Sequence, residues 1–81
     1  MPHSPTYSVQ VGSFRQEGEA GRLTEMLRAS GYNVRLVRVT GARGLWHQVL
    51  VGPYTDMDLA RQDQLKVRQM PGYGDARLIT H

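Results

Sequence analysis

An α+β domain of order βαββαβ, a four-stranded antiparallel sheet with both helices on one face, is the fold class this sequence predicts. Three observations lead there. A strand-like stretch near the start, Tyr7-Ser8-Val9-Gln10-Val11-Gly12-Ser13-Phe14, returns about forty residues later as Val49-Leu50-Val51-Gly52-Pro53-Tyr54. The echo continues, with Ala20 answered by Ala60, Gly31-Tyr32 by Gly72-Tyr73, and Arg35-Leu36-Val37 by Arg77-Leu78-Ile79. Each motif is then followed by a segment long enough for a helix, so two strand-helix-strand halves are the simplest parse.

With 81 residues and 40% apolar content, the chain makes one domain with one modest core. A chain of this size buries only about 60–65% of its unfolded surface, which favours a binding module over an enzyme with a deep pocket. The absence of Cys removes disulfides, thiolate zinc sites and thiol nucleophiles together. No apolar run approaches the roughly 20 residues of a membrane span. Residues 1–6 are polar and proline-rich and are expected to be a linker remnant ahead of a domain spanning 7–81. The net charge is +3, yet no acid falls between Glu25 and Asp56, a stretch that holds Arg28, Arg35, Arg38 and Arg43. The positive field is therefore local, either a solvated basic face or a seat for an anionic partner.

The first strand alternates, with Tyr7, Val9 and Val11 on a core face and Ser8, Gln10 and Gly12 opposite. That opposite face offers a hydroxyl, an amide and bare backbone. A turn over residues 16–18 leads to an amphipathic helix from Glu19, whose apolar face is Ala20, Leu23 and Leu27, ending at Ser30 and widened by Met26. Glu19 with Arg22 and Glu25 with Arg28 support its wet side, and Gly31 suits the left-handed stop. Residues 34–40 form a second strand whose alternation breaks between Leu36 and Val37, as a bulge or an edge position allows. Gly41-Ala42-Arg43-Gly44 turns the chain into a third strand, residues 45–51, to make an antiparallel hairpin.

Val49 and Val51 of this third strand point to the core, so Trp46, Gln48 and Leu50 share the face of Gln10. Two readings of Trp46, the sole tryptophan, stand side by side: a cap on the core edge beside the hairpin, or a flat platform for a ring-shaped ligand. After Pro53 and Tyr54, Thr55 is the expected N-cap of a second helix, with Asp58 as its capping partner and Asp56 favoured at the positive helix end. This helix runs to about Met70 and uses Leu59, Ala60, Val67 and Met70. Asp63 falls where the repeat and the helical period both call for Leu, with no reason visible in the sequence. Pro71-Gly72 ends the helix, and residues 76–80 supply the fourth strand.

Taken in order, Val9-Gln10-Val11-Gly12-Ser13-Phe14, then Ala20, Leu23, Leu27 and Gly31-Tyr32, then Val49-Leu50-Val51-Gly52-Pro53-Tyr54 and Ala60 resemble the SPOR (sporulation-related repeat) family. The resemblance covers residues 7–79. It implies a noncatalytic bacterial envelope module with an RNP-like fold and no cofactor. Such a module binds peptidoglycan glycan strands denuded of stem peptides, makes no membrane contact itself, and targets a parent protein to the cell wall or division septum. In the family the ligand lies across the open sheet face, which carries the role of glycan binding to Gln10, Ser13, Trp46 and Gln48. Arg15 and Arg43 join them by position and charge, as partners for the lactyl carboxylates that stripped strands retain. One departure stands out: the family often has Tyr-Arg-Val where this chain has His47-Gln48-Val49, so a fixed positive charge is missing from the third strand.

Two other classes compete. A βαββαβ sheet with a basic hairpin is also the RRM architecture, but RNA-binding members stack bases on aromatics where this chain has Leu45 and Gln10. An enzyme would need Ser13, His47 and an Asp of the second helix brought together, and no nucleophile-elbow pattern surrounds Ser13. A lone His is poor evidence for a metal. The edge of the second strand offers a surface for a weak homodimer.

Overall fold

A computed structural model describes residues 4–81. The predicted element order is present: β1 (Tyr7–Phe14), α1 (Glu17–Ala29), β2 (Val34–Gly41), β3 (Gly44–Tyr54), α2 (Met57–Arg68) and β4 (Arg77–Thr80). The strands form one antiparallel sheet of order β2-β3-β1-β4. Both helices pack on one face, over a core in which Val9, Leu27, Val49, Val51 and Val67 are fully buried. Residues 1–3 of the expected linker lie outside the described residues. Thr6, its last residue, is tied to the fold, because the His81 backbone N–H donates to its carbonyl at 2.8 Å.

Strict alternation fails in β1. Gln10 pairs with Leu50 but Gly12 pairs with Val49, so the register slips by one residue and Val11 is the extra member of a bulge. Gly12 is thereby carried to the helix side, where a Cβ would meet the Phe14 ring at 2.8 Å and Leu23 at 3.7 Å. The expectation that Gly12 shares the face of Ser8 and Gln10 is corrected: its lack of a side chain makes room for Phe14. The hairpin register between β2 and β3 is regular, so the break at Leu36 and Val37 reflects the edge position of β2.

Helix α1 begins at Glu17, two residues before the expected start, with Glu17 and Glu19 in a first turn that favours negative charge. Its buried face is Ala20, Leu23, Thr24 and Leu27. Thr24 is tolerated there because its hydroxyl donates to the Ala20 carbonyl at 2.8 Å. Met26, expected in the core, is 44% exposed. Neither expected intrahelical ion pair forms. Glu17 pairs with Arg38 of β2 at 3.4 Å, and Arg28 donates to the Val34 carbonyl at 3.1 Å, so these charges join helix to strand. Gly31 ends the helix as expected, with φ +95° and the Tyr32 N–H returning to the Leu27 carbonyl at 3.1 Å.

The N-cap of α2 is Asp56 rather than Thr55, since its carboxylate accepts the Asp58 N–H at 2.8 Å. The helix ends at Arg68, short of Met70, and buries only Ala60 and Val67, while Leu59 is 52% exposed. Asp63 now has an account. The Tyr54 hydroxyl donates to its carboxylate, and Lys66 stands 4.0 Å away. A leucine at this position would leave the half-buried phenol without its acceptor.

Burial of Tyr54, helped by that hydrogen bond and the Asp63 charge, raises its pKa well above the usual 10.0. A raised folded-state pKa means that its stabilising contribution is complete below pH 10 and is lost as pH climbs through the higher folded value. Denaturation followed from pH 8 to 12 is expected to show an alkaline loss of stability that Tyr54→Phe reduces. Equal losses in both proteins would refute the linkage.

Candidate functional site on the open sheet face

The antiparallel register lays the face away from the helices out as rows across the strands. One row pairs Val39 with Trp46, and the next runs Val37, Gln48 and Ser13. The third runs Arg35, Leu50, Gln10 and Arg77 across all four strands. Four of the six predicted site residues, Gln10, Ser13, Trp46 and Gln48, therefore share this face. Gln10, Trp46 and Gln48 are half-buried and Ser13 is exposed.

The other two sit at its rim. Arg15 follows β1 and lays its guanidinium 4.4 Å from the centroid of the Trp46 ring. Arg43 is exposed in the two-residue turn between β2 and β3. Of the two readings of Trp46, a cap on the core edge does not hold: the ring lies on the open face, outside the core cluster. One side of the indole is already stacked by Arg15, so a ligand has the remaining surface unless that arginine moves.

Charge is divided between the two sides of the sheet. The seven acids all lie on α1, on α2 with its N-cap, or at Asp75 ahead of β4, and no strand carries one. Six of the ten cations share the helix side and nearly balance them. The net +3 therefore resides with the remaining four, Arg15, Arg35, Arg43 and Arg77, on the open face and its rim.

Sequence reasoning placed Leu50 and Ser8 on this face but not their burial, and it did not single out the arginines beside them. Leu50 is only 5% exposed although it lies on the open face, forming a floor between polar neighbours. Ser8 is fully buried there, accepting from Arg35 Nη2 at 3.1 Å, with His81 Nε2 at 3.2 Å from the same hydroxyl. The repeat that aligns Arg35 with Arg77 was the available signal for the arginine row.

His47 lies on the opposite side of β3 from Trp46 and Gln48, paired with Phe14 and Arg38. It is 5% exposed, and its Nδ1 has no hydrogen-bond partner among the described residues. The sheet thus separates it from Ser13, so the considered Ser13 and His47 pairing is not formed. An unpaired buried polar nitrogen costs about 1–3 kcal/mol. His47→Leu is accordingly expected to stabilise the domain by about 1 kcal/mol in urea unfolding, and a destabilisation of that size would show that the imidazole has a needed partner.

Two of the concavities among the described residues contain no predicted site residue, although Arg77 lines the second. One, of about 360 Å³, lies between Phe14, Leu23, Met26 and Tyr73, and the other, of about 600 Å³, lies between the end of α2 and β4. The open face is a surface, not a pocket, which suits an extended ligand better than a small enclosed one. Among the described residues no cluster of three or more His, Asp or Glu side chains could hold a metal ion. No described helix is long and apolar enough to cross a membrane.

An antiparallel sheet backed by two helices on one side and bare on the other, with amides, a hydroxyl and an arginine-stacked indole on the bare side, defines an open-faced α+β module. The chain belongs to the SPOR domain family, which it matches over residues 4–76. Its fold is similar to that of the RlpA SPOR domain from Pseudomonas aeruginosa, at 23% identity and a TM-score of 0.75 over 90% of this chain and 96% of that one. It is also similar to the peptidoglycan-binding domain of the B. subtilis cell wall lytic enzyme CwlC, at 24% identity and a TM-score of 0.73 over 100% and 95%. A putative exported protein of Burkholderia pseudomallei K96243 contains a like fold, at 18% identity and a TM-score of 0.63, with 99% of this chain matched to 16% of that one. No curated protein matches the chain significantly.

Proposed function

We propose that this domain binds peptidoglycan through its open sheet face, recognising glycan strands denuded of stem peptides. It thereby targets a parent protein to the cell wall or division septum on the outer side of the bacterial membrane. The observation that carries this is the gathering of Gln10, Ser13, Trp46 and Gln48 on one acid-free face. Membership of the SPOR family and the fold shared with a B. subtilis peptidoglycan-binding domain support the choice of ligand. N-acetylated sugars present amides and hydroxyls to Gln and Ser side chains, and flat C–H faces to an indole. The four unbalanced arginines complement the carboxylate that every second sugar keeps after its peptide is removed. The role is noncatalytic.

Co-sedimentation with purified sacculi, before and after an amidase strips the stem peptides, tests this directly, with a structured RNA as control. Binding should rise on amidase treatment. Absence of wall binding, with RNA binding that falls steeply with salt, would transfer the face to nucleic acid.

A further inference from the structure

The row Arg35, Leu50, Gln10 and Arg77 crosses the sheet from one edge strand to the other, with an arginine at each end and an apolar and amide floor between. Along β3 it is four residues from Trp46, about 13 Å at the rise of an extended strand, so it is separate from the end of the face where Arg15 stacks on the indole. Neither Arg35 nor Arg77 is in an ion pair among the described residues. Arg35 is positioned, since one N–H donates to the fully buried Ser8 hydroxyl at 3.1 Å, which leaves four of its five donors uncommitted. No acid shares the face.

We propose that Arg35 and Arg77 form a carboxylate subsite across the Leu50 and Gln10 floor, reading the lactyl carboxylate of a stripped glycan. This rests on the glycan reading above and deepens it. The subsite supplies the fixed positive charge that β3 lacks at Gln48, from the edge strands on either side of the central pair. Guanidinium groups at the two ends of a low floor suit a carboxylate, which each can engage through paired N–H groups. A stem peptide also carries carboxylates, so the test separates the two sources.

Three sacculus preparations are compared in co-sedimentation: untreated, amidase-stripped, and amidase-stripped with carboxylates converted to neutral methylamides. The wild-type domain is expected to bind stripped sacculi about tenfold more tightly than methylamidated ones, a gap of one charge-assisted pair. Arg35→Gln/Arg77→Gln should abolish that preference, binding stripped and methylamidated sacculi equally. A double variant that keeps the full preference overturns the subsite, as does a preference removed by Arg15→Gln alone. Wild-type binding without any preference sinks the subsite and leaves the glycan reading standing, whereas no binding to any preparation sinks both. Dependence on the two arginines seen only with untreated sacculi assigns the carboxylate to the stem peptide and overturns the lactyl assignment. Should loss of the Arg35 bond to Ser8 unfold the double variant, Arg77→Gln alone must reduce the preference at least about threefold, and an unchanged preference refutes the proposal.

Discussion

Trp46→Ala is expected to weaken binding to amidase-stripped sacculi by about ten- to a hundredfold while leaving the folded domain nearly as stable as before. Truncating a central aromatic of a binding face commonly costs 2 kcal/mol or more, and each 1.4 kcal/mol is about tenfold in affinity. The indole is placed for this, half-buried on the open face in line with Val39 and one row from Gln48 and Ser13. Its stability cost should be small because it lies outside the core cluster, and what it loses is the stacking of an exposed Arg15. Sedimentation and thermal unfolding of the same preparation decide the matter. A variant that unfolds would mean that the indole holds the sheet together, and one that binds as the wild type does would move the site elsewhere.

Leu27→Ala should do the reverse. Leu27 is fully buried in the middle of the interface between α1 and the sheet, and such truncations cost about 2–5 kcal/mol because little can collapse into the space left behind. At about 0.05–0.15 kcal/mol per residue, a domain of this length has only about 4–12 kcal/mol in total. The variant should therefore lose a large part of its stability, which urea unfolding measures directly. A loss under about 1 kcal/mol would mean that the core is more plastic than its packing indicates. Wall binding by whatever folded fraction remains should be unchanged, since Leu27 lies on the far side of the sheet from Trp46.

The difference between these two residues was legible in the sequence, because it depends on periodicity. Alternation in residues 45–51 placed Val49 and Val51 inward and Trp46 and Gln48 outward, and helical spacing placed Leu23 and Leu27 inward. The echo of the first motif in the second gave the element order. What period alone could not supply was where the period slips. The bulge at Val11 returns Gly12 to the helix side, and nothing in Val-Gly-Ser announces it, because the cause is the Phe14 ring needing that space.

Charged and polar contacts were harder to read, for the same reason of distance along the chain. Glu25 and Arg28 are near neighbours in sequence, yet Arg28 reaches the carbonyl of Val34 instead. Asp63 made no sense as a member of an apolar face until Tyr54 appeared beside it. Thr24 displaced Met26 from the buried face because its hydroxyl is satisfied within its own helix, so burying it costs little. Alternation was enough to put Gln10, Trp46 and Gln48 on one face, while the arginine row across it required the register between strands that lie far apart in the chain.

The separation of charge across the sheet has a dynamic consequence. With a nearly balanced helix side and four unbalanced arginines opposite, the molecule carries an electric dipole moment roughly normal to the sheet. Near a polyanionic surface it experiences a torque before it experiences contact, and it rotates to arrive sheet first instead of sampling all orientations. That alignment acts only within a few Debye lengths, each about 8 Å at physiological ionic strength. Salt should therefore slow the domain's capture by such a surface more than it hastens its release.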